Sequence, residues 1–342
     1  MITENLPYIW GMIIAVAVLA YVLLDGFDLG CGILFLAERE EEDRDVMVNS
    51  IAPVWDGNET WLVMGGGGLL AVFPVAYAIL FSAFYPTIIA MLLALVFRGV
   101  AFEFRFKAHT LRGRRWWDRA FCLGSLVAAL CQGMTLGGIL QGVHHNGFAY
   151  TGGWFDWLTP FTVLCGVAVV VGYTLLGACW LILKTENGLH VRARHYAKPL
   201  FILLLLLIAA VSLWTPLLNE TYRLRWFSWP GIVLTAPVPL LVAAMALGFW
   251  RSLQHKRHAA PLLYAMGMFL LCYVGLGISL FPNIVPPAHG TTPLSLVDAA
   301  APAASQMFLL VGAVVLIPMV LGYNAYSYWI FRGKVRHGEG YH

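Results

Sequence analysis

Apolar residues run in long unbroken blocks along this chain, and charged residues fall almost entirely between the blocks. A helix needs about 20 mostly apolar residues to cross the hydrocarbon core of a bilayer. Nine blocks qualify: residues 8–36, 52–73, 75–104, 118–143, 158–183, 199–218, 231–250, 260–282 and 303–331. Only Phe73-Pro74-Val75 parts the second from the third. The runs are continuous rather than alternating, which excludes a transmembrane β-barrel. The pattern predicts an all-α polytopic membrane protein, one membrane domain over 1–342. Residues 1–8 carry Glu4 and no Lys or Arg, so a retained first helix is expected rather than a cleaved signal.

Composition supports this. The chain is 60% hydrophobic and 11% charged, with mean hydropathy +0.76. A soluble domain is nearer half apolar and a quarter charged. The charge pattern then gives an orientation. All 21 Lys and Arg except Arg98, Arg223 and Arg225 fall after segments one, three, five and seven or in the C-terminal tail. The positive-inside rule puts those loops in the cytoplasm, so the N-terminus faces outward and the C-terminus inward. Nine crossings agree with that parity. The basic residues read as topology signals rather than a nucleic-acid surface, and no nucleic-acid partner is expected. The acidic run Glu38 to Asp45 reads as a solvated cytoplasmic loop.

A charge at membrane depth is costly and calls for a functional hypothesis. Segment one carries Asp25 and Asp28 three residues apart, hence on one helix face. Segment two opens with Asp56 and Glu59 at the same spacing. Segment three closes with Arg98 and Glu103. Three neighbouring helices thus bring five acids and one arginine to one depth, near the cytoplasmic ends. Structural readings exist for several of them. Asp56 and Glu59 suit the first turn of a helix dipole, Glu103 suits the interface, and Arg98 suits a counter-ion. Asp25 and Asp28 lie deep in an apolar run and resist such readings. Closely spaced carboxylates beside an arginine have coupled titrations and can load and release protons. That predicts a proton path from the cytoplasm, or a cation site in a transporter.

Segments five to nine hold no Asp, Glu, Lys or Arg, and read as packing and partner surface, with Tyr173, Tyr264 and Tyr273 buried. Gly65 to Gly68 suggests close helix approach. Cys31, Cys122, Cys131, Cys165, Cys179 and Cys272 all fall in apolar segments and read as small buried hydrophobes. The ten histidines all fall in loops or tails: His109, His144, His145, His190, His195, His255, His258, His289, His337 and His342. A membrane haem usually needs an axial His or Met within a helix. Met134 and Met268 read as core fillers, and His144-His145 as an ordinary outer loop. The expectation is no haem and no metal bound by this chain alone.

The stretches Asp25-Gly26-Phe27-Asp28-Leu29-Gly30, Asn49 to Trp61, and Phe97 to Arg105 resemble the signature regions of subunit II of cytochrome bd-type quinol oxidases. Gly172 to Gly177 and Trp180 to Glu186 make the cyanide-insensitive branch the nearest match, and the likeness covers the whole chain. The resemblance implies two four-helix bundles (1–143, with the buried charges, and 158–282) plus a peripheral ninth helix (303–331). It implies an obligate partner, subunit I, that carries haems b and d and the quinol site, with room for a small single-helix accessory subunit and a structural quinone. The complex would sit in the bacterial cytoplasmic membrane, oxidise quinol and reduce dioxygen to water with cytoplasmic protons. Asp25 and Asp56 match the family's proton-path acids and Arg98 its arginine; Glu103 stands where other members have Asp. The competing readings are a proton-coupled secondary transporter, which usually shows strong internal repeats, and a purely structural assembly subunit. Here the halves share little beyond Leu29-Gly30-Cys31 and Leu176-Gly177-Ala178.

Overall fold

A computed structural model describes residues 2–288, 291–336 and 338. His289, His337 and His342, assigned above to loops or tails, lie outside the described residues. The chain is helical almost throughout. In order, the helices are α1 (Ile2–Leu34), α2 (Glu41–Ile51), α3 (Trp55–Val72), α4 (Pro74–Ala83), α5 (Tyr85–Lys107), α6 (Leu111–Gln141) and α7 (Pro160–Lys184). Then come α8 (Asn187–Leu218), α9 (Glu220–Phe227), α10 (Gly231–Thr235), α11 (Pro237–Gln254), α12 (Ala260–Leu280) and α13 (Ala303–Ile330). One two-stranded antiparallel ribbon, β1 (Asn283–Val285) with β2 (Leu294–Ser295), closes the loop before α13.

Among the described residues, eight helices are long and apolar enough to cross a membrane alone, and α3 with α4, bent by 120°, pass the same test together. The break falls at Phe73-Pro74. Proline pushes the residue before it out of helical geometry, and Phe73 sits at φ −125°, ψ 60°. The third segment expected over 75–104 is therefore two elements. Residues 74–83 form α4, and the crossing helix itself starts at Tyr85.

The molecule has two distinct ends. One gathers the basic stretches. Arg44 donates to Asp118 and Arg192 pairs with Glu38. Arg194 donates to the carbonyls of Leu253 and Arg257. Lys184 donates to the carbonyls of Phe331 and Gly333 in the tail. At the other end Trp10, Val72, Val143, Val285 and Leu294 share one apolar cluster, and α4 adds Ala76, Ile79 and Leu80 to it. Arg225 there donates to the carbonyls of Ile278 and Ser279. So α3 runs from the basic end to the opposite end, α4 lies along that end, and α5 returns.

Packing centres on α1 and α7, which touch each other and flank α6; α3 and α13 lie against α1, α8 against α7, and α11 against α12. Glycines set the tightest contacts. A Cβ on Gly30 would fall 1.8 Å from the Tyr173 carbonyl oxygen, and one on Gly177 would fall 2.3 Å from the Gly30 carbonyl carbon. The two matching tripeptides of the halves thus face one another across the α1–α7 crossing. The glycine run of α3 behaves less uniformly than expected. Gly65 and Gly68 meet Val18 and Ile14 of α1, whereas Gly66 and Gly67 face open space. All six cysteines lie in helices; five are buried and Cys272 is partly so.

Two readings change. The acidic run is no solvated loop: residues 41–45 open helix α2, Glu38 and Asp43 are buried, and Arg192 pairs with both. Helix α8 begins at Asn187, not near residue 199, so His190 and His195 are helical, in its charged first turns.

Candidate functional site

One face of α1 carries Asp25 and Asp28, which point toward α3 and α5. The adjacent face carries Gly26 and Gly30, which lie against α7. Arg98 of α5 meets the acids. Its guanidinium and both carboxylates are completely buried. Arg98 Nη2 lies 2.8 Å from Asp25 Oδ1 and 4.0 Å from Asp28 Oδ2. Arg98 Nη1 donates to Glu59 Oε1 at 2.8 Å, and the Glu59 side chain is 26% exposed. One cation therefore bridges two interior acids and one acid at the edge.

Two polar chains reach these carboxylates from other helices. Asn58 of α3 donates to Asp28 Oδ2 at 2.7 Å, and its own oxygen accepts from the Tyr328 hydroxyl of α13 at 2.9 Å. Tyr173 of α7 donates to Gln132 Oε1 at 2.9 Å, and Gln132 of α6 donates to the Tyr21 hydroxyl at 2.7 Å. Tyr21 in turn faces Asp25. Its approach stops short of an aligned hydrogen bond: both Asp25 oxygens, Asp28 Oδ1 and Arg98 Nε are buried without a hydrogen-bond partner among the described residues. Buried polar atoms are normally satisfied, often by ordered water. The cluster is thus a polar chamber inside an apolar bundle.

The structure brings together Asp25, Asp28, Glu59 and Arg98. It does not bring in the other two candidates. Asp56, one turn before Glu59, is exposed at the start of α3. Glu103 follows Arg98 by five residues, roughly 140° around the helix. It is exposed on another face and pairs with Lys107 at 3.6 Å. Asn58, Gln132, Tyr21 and Tyr328 are participants that the chain pattern did not single out. Tyr328→Phe tests that point. It strands the buried Asn58 oxygen, which costs about 1–3 kcal/mol. The purified protein is expected to melt measurably lower.

A second buried ion cluster lies nearer the basic end. Arg105 Nε donates to Asp118 Oδ1 at 2.7 Å, Arg105 also pairs with Asp45, and Arg44 reaches Asp118 Oδ2 at 3.0 Å. Arg105 and Asp118 are nearly inaccessible. Phe102 sits between the clusters, stacked on Trp55 at 5.0 Å and edge-on to Phe121 at 4.9 Å.

No group of three His, Cys, Asp or Glu among the described residues is placed to hold a metal. His145 Nδ1 accepts from the Gly147 N–H, an ordinary turn. Met268 is a fully buried core residue, and Met134 lies against the Gly166 crossing.

Fold and site define a class: a multi-pass membrane protein with a buried, charged chamber among its first helices. Residues 6–331 match the family described as Cytochrome bd terminal oxidase subunit II. The chain belongs to that family. It is 33% identical to the cytochrome bd-I ubiquinol oxidase subunit 2 of Escherichia coli K12, over 97% of this chain and 96% of that one. It is 31% identical to the cytochrome bd ubiquinol oxidase subunit 2 of Bacillus subtilis, over 98% of each. The bd oxidase structure from Geobacillus thermodenitrificans shares the fold, with TM-score 0.72 at 17% identity over 96% and 98% of the two chains. The protein is therefore a subunit of a bd-type terminal oxidase, a membrane oxidoreductase complex formed with subunit I, and a multi-pass protein of the bacterial inner membrane.

Proposed function

We propose that this chain is the haem-free half of the oxidase and supplies a proton-uptake path from the cytoplasm to chemistry performed in subunit I. Subunit I would hold haems b and d, oxidise quinol and reduce dioxygen to water. The observation that carries the reading is the Glu59–Arg98–Asp25 bridge, which joins a partly exposed acid to a completely buried one through a single guanidinium. Three carboxylates share one cation. Fully ionised, they would leave two uncompensated negative charges in a low-dielectric interior, which is strongly unfavourable. Such a cluster takes up protons to relieve that imbalance, and its members titrate as a group.

In this reading Asp56 is the outer acid, one turn from Glu59 at the mouth. Glu59 receives the proton, Asp25 and Asp28 pass it inward, and Arg98 keeps the chamber charged and oriented. Glu103 stays off the route, held by Lys107. The basic end would face the cytoplasm, as the concentration of Lys and Arg there supports. The first bundle, 1–143, would serve proton uptake. The second, 158–282, would be scaffold, with residues 303–331 as the ninth helix. An accessory single-helix subunit and a structural quinone would be accommodated at the outer helix faces.

The test is quinol-driven oxygen uptake by the purified complex. Asp25→Asn is expected to cut turnover by about tenfold or more, with haem content and subunit ratio unchanged. Asp28→Asn and Glu59→Gln should cut it less. Normal turnover in all three, with normal haem, would reject the path and leave the acids as structural.

A further inference from the structure

Helix α6 sorts its first charges by face. Arg114 turns inward to Glu41 at 3.1 Å, and Asp118 turns inward to Arg105 and Arg44. Arg112, Arg115 and Arg119 turn the other way. Spacings of three and four keep them within about 60° of one another on the helix. All three are exposed, and none has a carboxylate within ion-pair distance among the described residues. With Leu111 and Trp116 they line an open groove of about 460 Å³. The Arg119 guanidinium lies 5.7 Å over the Trp116 ring, and Trp116 is 64% exposed.

The same helix face continues as bare hydrocarbon. Leu123 and Val127 follow Arg119 at one-turn steps and are both exposed. A cationic groove with an aromatic wall thus leads directly into an apolar stripe, at the point where α6 leaves water for the bilayer. A solvated basic loop needs no such order, and neither does a topology signal. We infer that this groove is a binding site for an anionic phospholipid. Its headgroup phosphate is held by Arg112, Arg115 and Arg119, its glycerol region lies against Trp116, and one acyl chain follows Leu123 and Val127. Charge complementarity selects the class: three unpaired guanidiniums within about 10 Å of helix rise suit one phosphate diester or two, and repel a zwitterionic headgroup's ammonium.

The test uses the intact oxidase complex in mild detergent. Native mass spectrometry follows added phosphatidylglycerol, diphosphatidylglycerol or phosphatidylcholine, one at a time. Wild type should retain an anionic lipid and not phosphatidylcholine. The Arg112→Gln, Arg115→Gln, Arg119→Gln triple variant should lose it. The drop is about fivefold per arginine and on the order of a hundredfold together. A control triple of scattered exposed residues, Arg39→Gln, Lys198→Gln and Arg251→Gln, removes the same charge and should retain the lipid. If the groove triple fails to assemble, the single variants read the fivefold steps. Equal retention by both triples overturns the site. So does displacement of the lipid by an equal concentration of inorganic phosphate, which marks a simple anion site. So does a wild-type complex that retains no anionic lipid because subunit I covers the groove.

Discussion

Arg98→Leu is expected to abolish assembly of a stable oxidase. Among the described residues, the substitution leaves Asp25 and Asp28 completely buried with no cation in reach and strips Glu59 of its only ion-pair partner. Removing one partner of a buried ion pair costs about 3–5 kcal/mol, because the orphaned charge stays desolvated. That is a large share of the total stability of most proteins. The measurement is the yield of haem-containing complex and its melting temperature. Two further variants separate charge from catalysis. Arg98→Lys keeps the charge, but one ammonium cannot hold Asp25 and Glu59 on separate nitrogens as the guanidinium does. Partial assembly with reduced turnover is expected. The double variant Arg98→Leu with Asp25→Leu removes both halves of the most buried contact. It should recover part of the assembly and none of the oxygen uptake. Full assembly of Arg98→Leu alone would show that the three acids are already neutral, which undercuts the bridge as a proton relay.

The reason Arg98, Asp25, Asp28 and Glu59 were legible from sequence is that charge inside an apolar run is rare and costly, so each stands out without any knowledge of the fold. The i, i+3 spacing also placed both aspartates on one face correctly. Asn58 and Gln132 carry no such signal, because a neutral amide in an apolar helix is common. Only the crossing of α6 with α1 and α7 shows that Gln132 links two tyrosines. Asp118 was hidden differently. Read as the first residue of a segment, it looked like a loop edge, yet α6 begins seven residues earlier, at Leu111. The same error shortened α8. Helices run on past the membrane boundary, because their backbone is satisfied internally and their charged turns meet water at little cost. Composition also misled at residues 38–45. Their acids looked solvated because their partners, Arg105, Arg114 and Arg192, lie far along the chain, on α5, α6 and α8. Asp56 and Glu103 shared the depth of the site but not its direction, and depth alone was readable.

Gly30→Ala is expected to be the most damaging single-methyl change in the protein, and it acts on the site without touching a charge. The added carbon would fall 1.8 Å from the Tyr173 carbonyl oxygen and close to the Gly177 backbone. No rotamer relieves an overlap with backbone, so α1 and α7 must move apart by an ångström or more. Overpacking of this kind costs about 1–3 kcal/mol in a protein core. Helices in a membrane have no hydrophobic drive to hold a loosened interface together and rely on close contact. The displacement also reaches the chamber, since Asp28 precedes Gly30 by two residues and Tyr173 anchors the chain of hydrogen bonds that ends at Tyr21, beside Asp25. Turnover should therefore fall further than stability alone predicts. The control is Gly67→Ala in α3, where a Cβ meets nothing within 4 Å. Helix propensity alone favours alanine over glycine by about 1 kcal/mol, so this variant should be neutral or slightly stabilised. The pair gives opposite signs for one chemical change, read as melting temperature and oxygen uptake of the purified complex. Equal tolerance at both positions would mean that the α1–α7 crossing is looser than its glycines require.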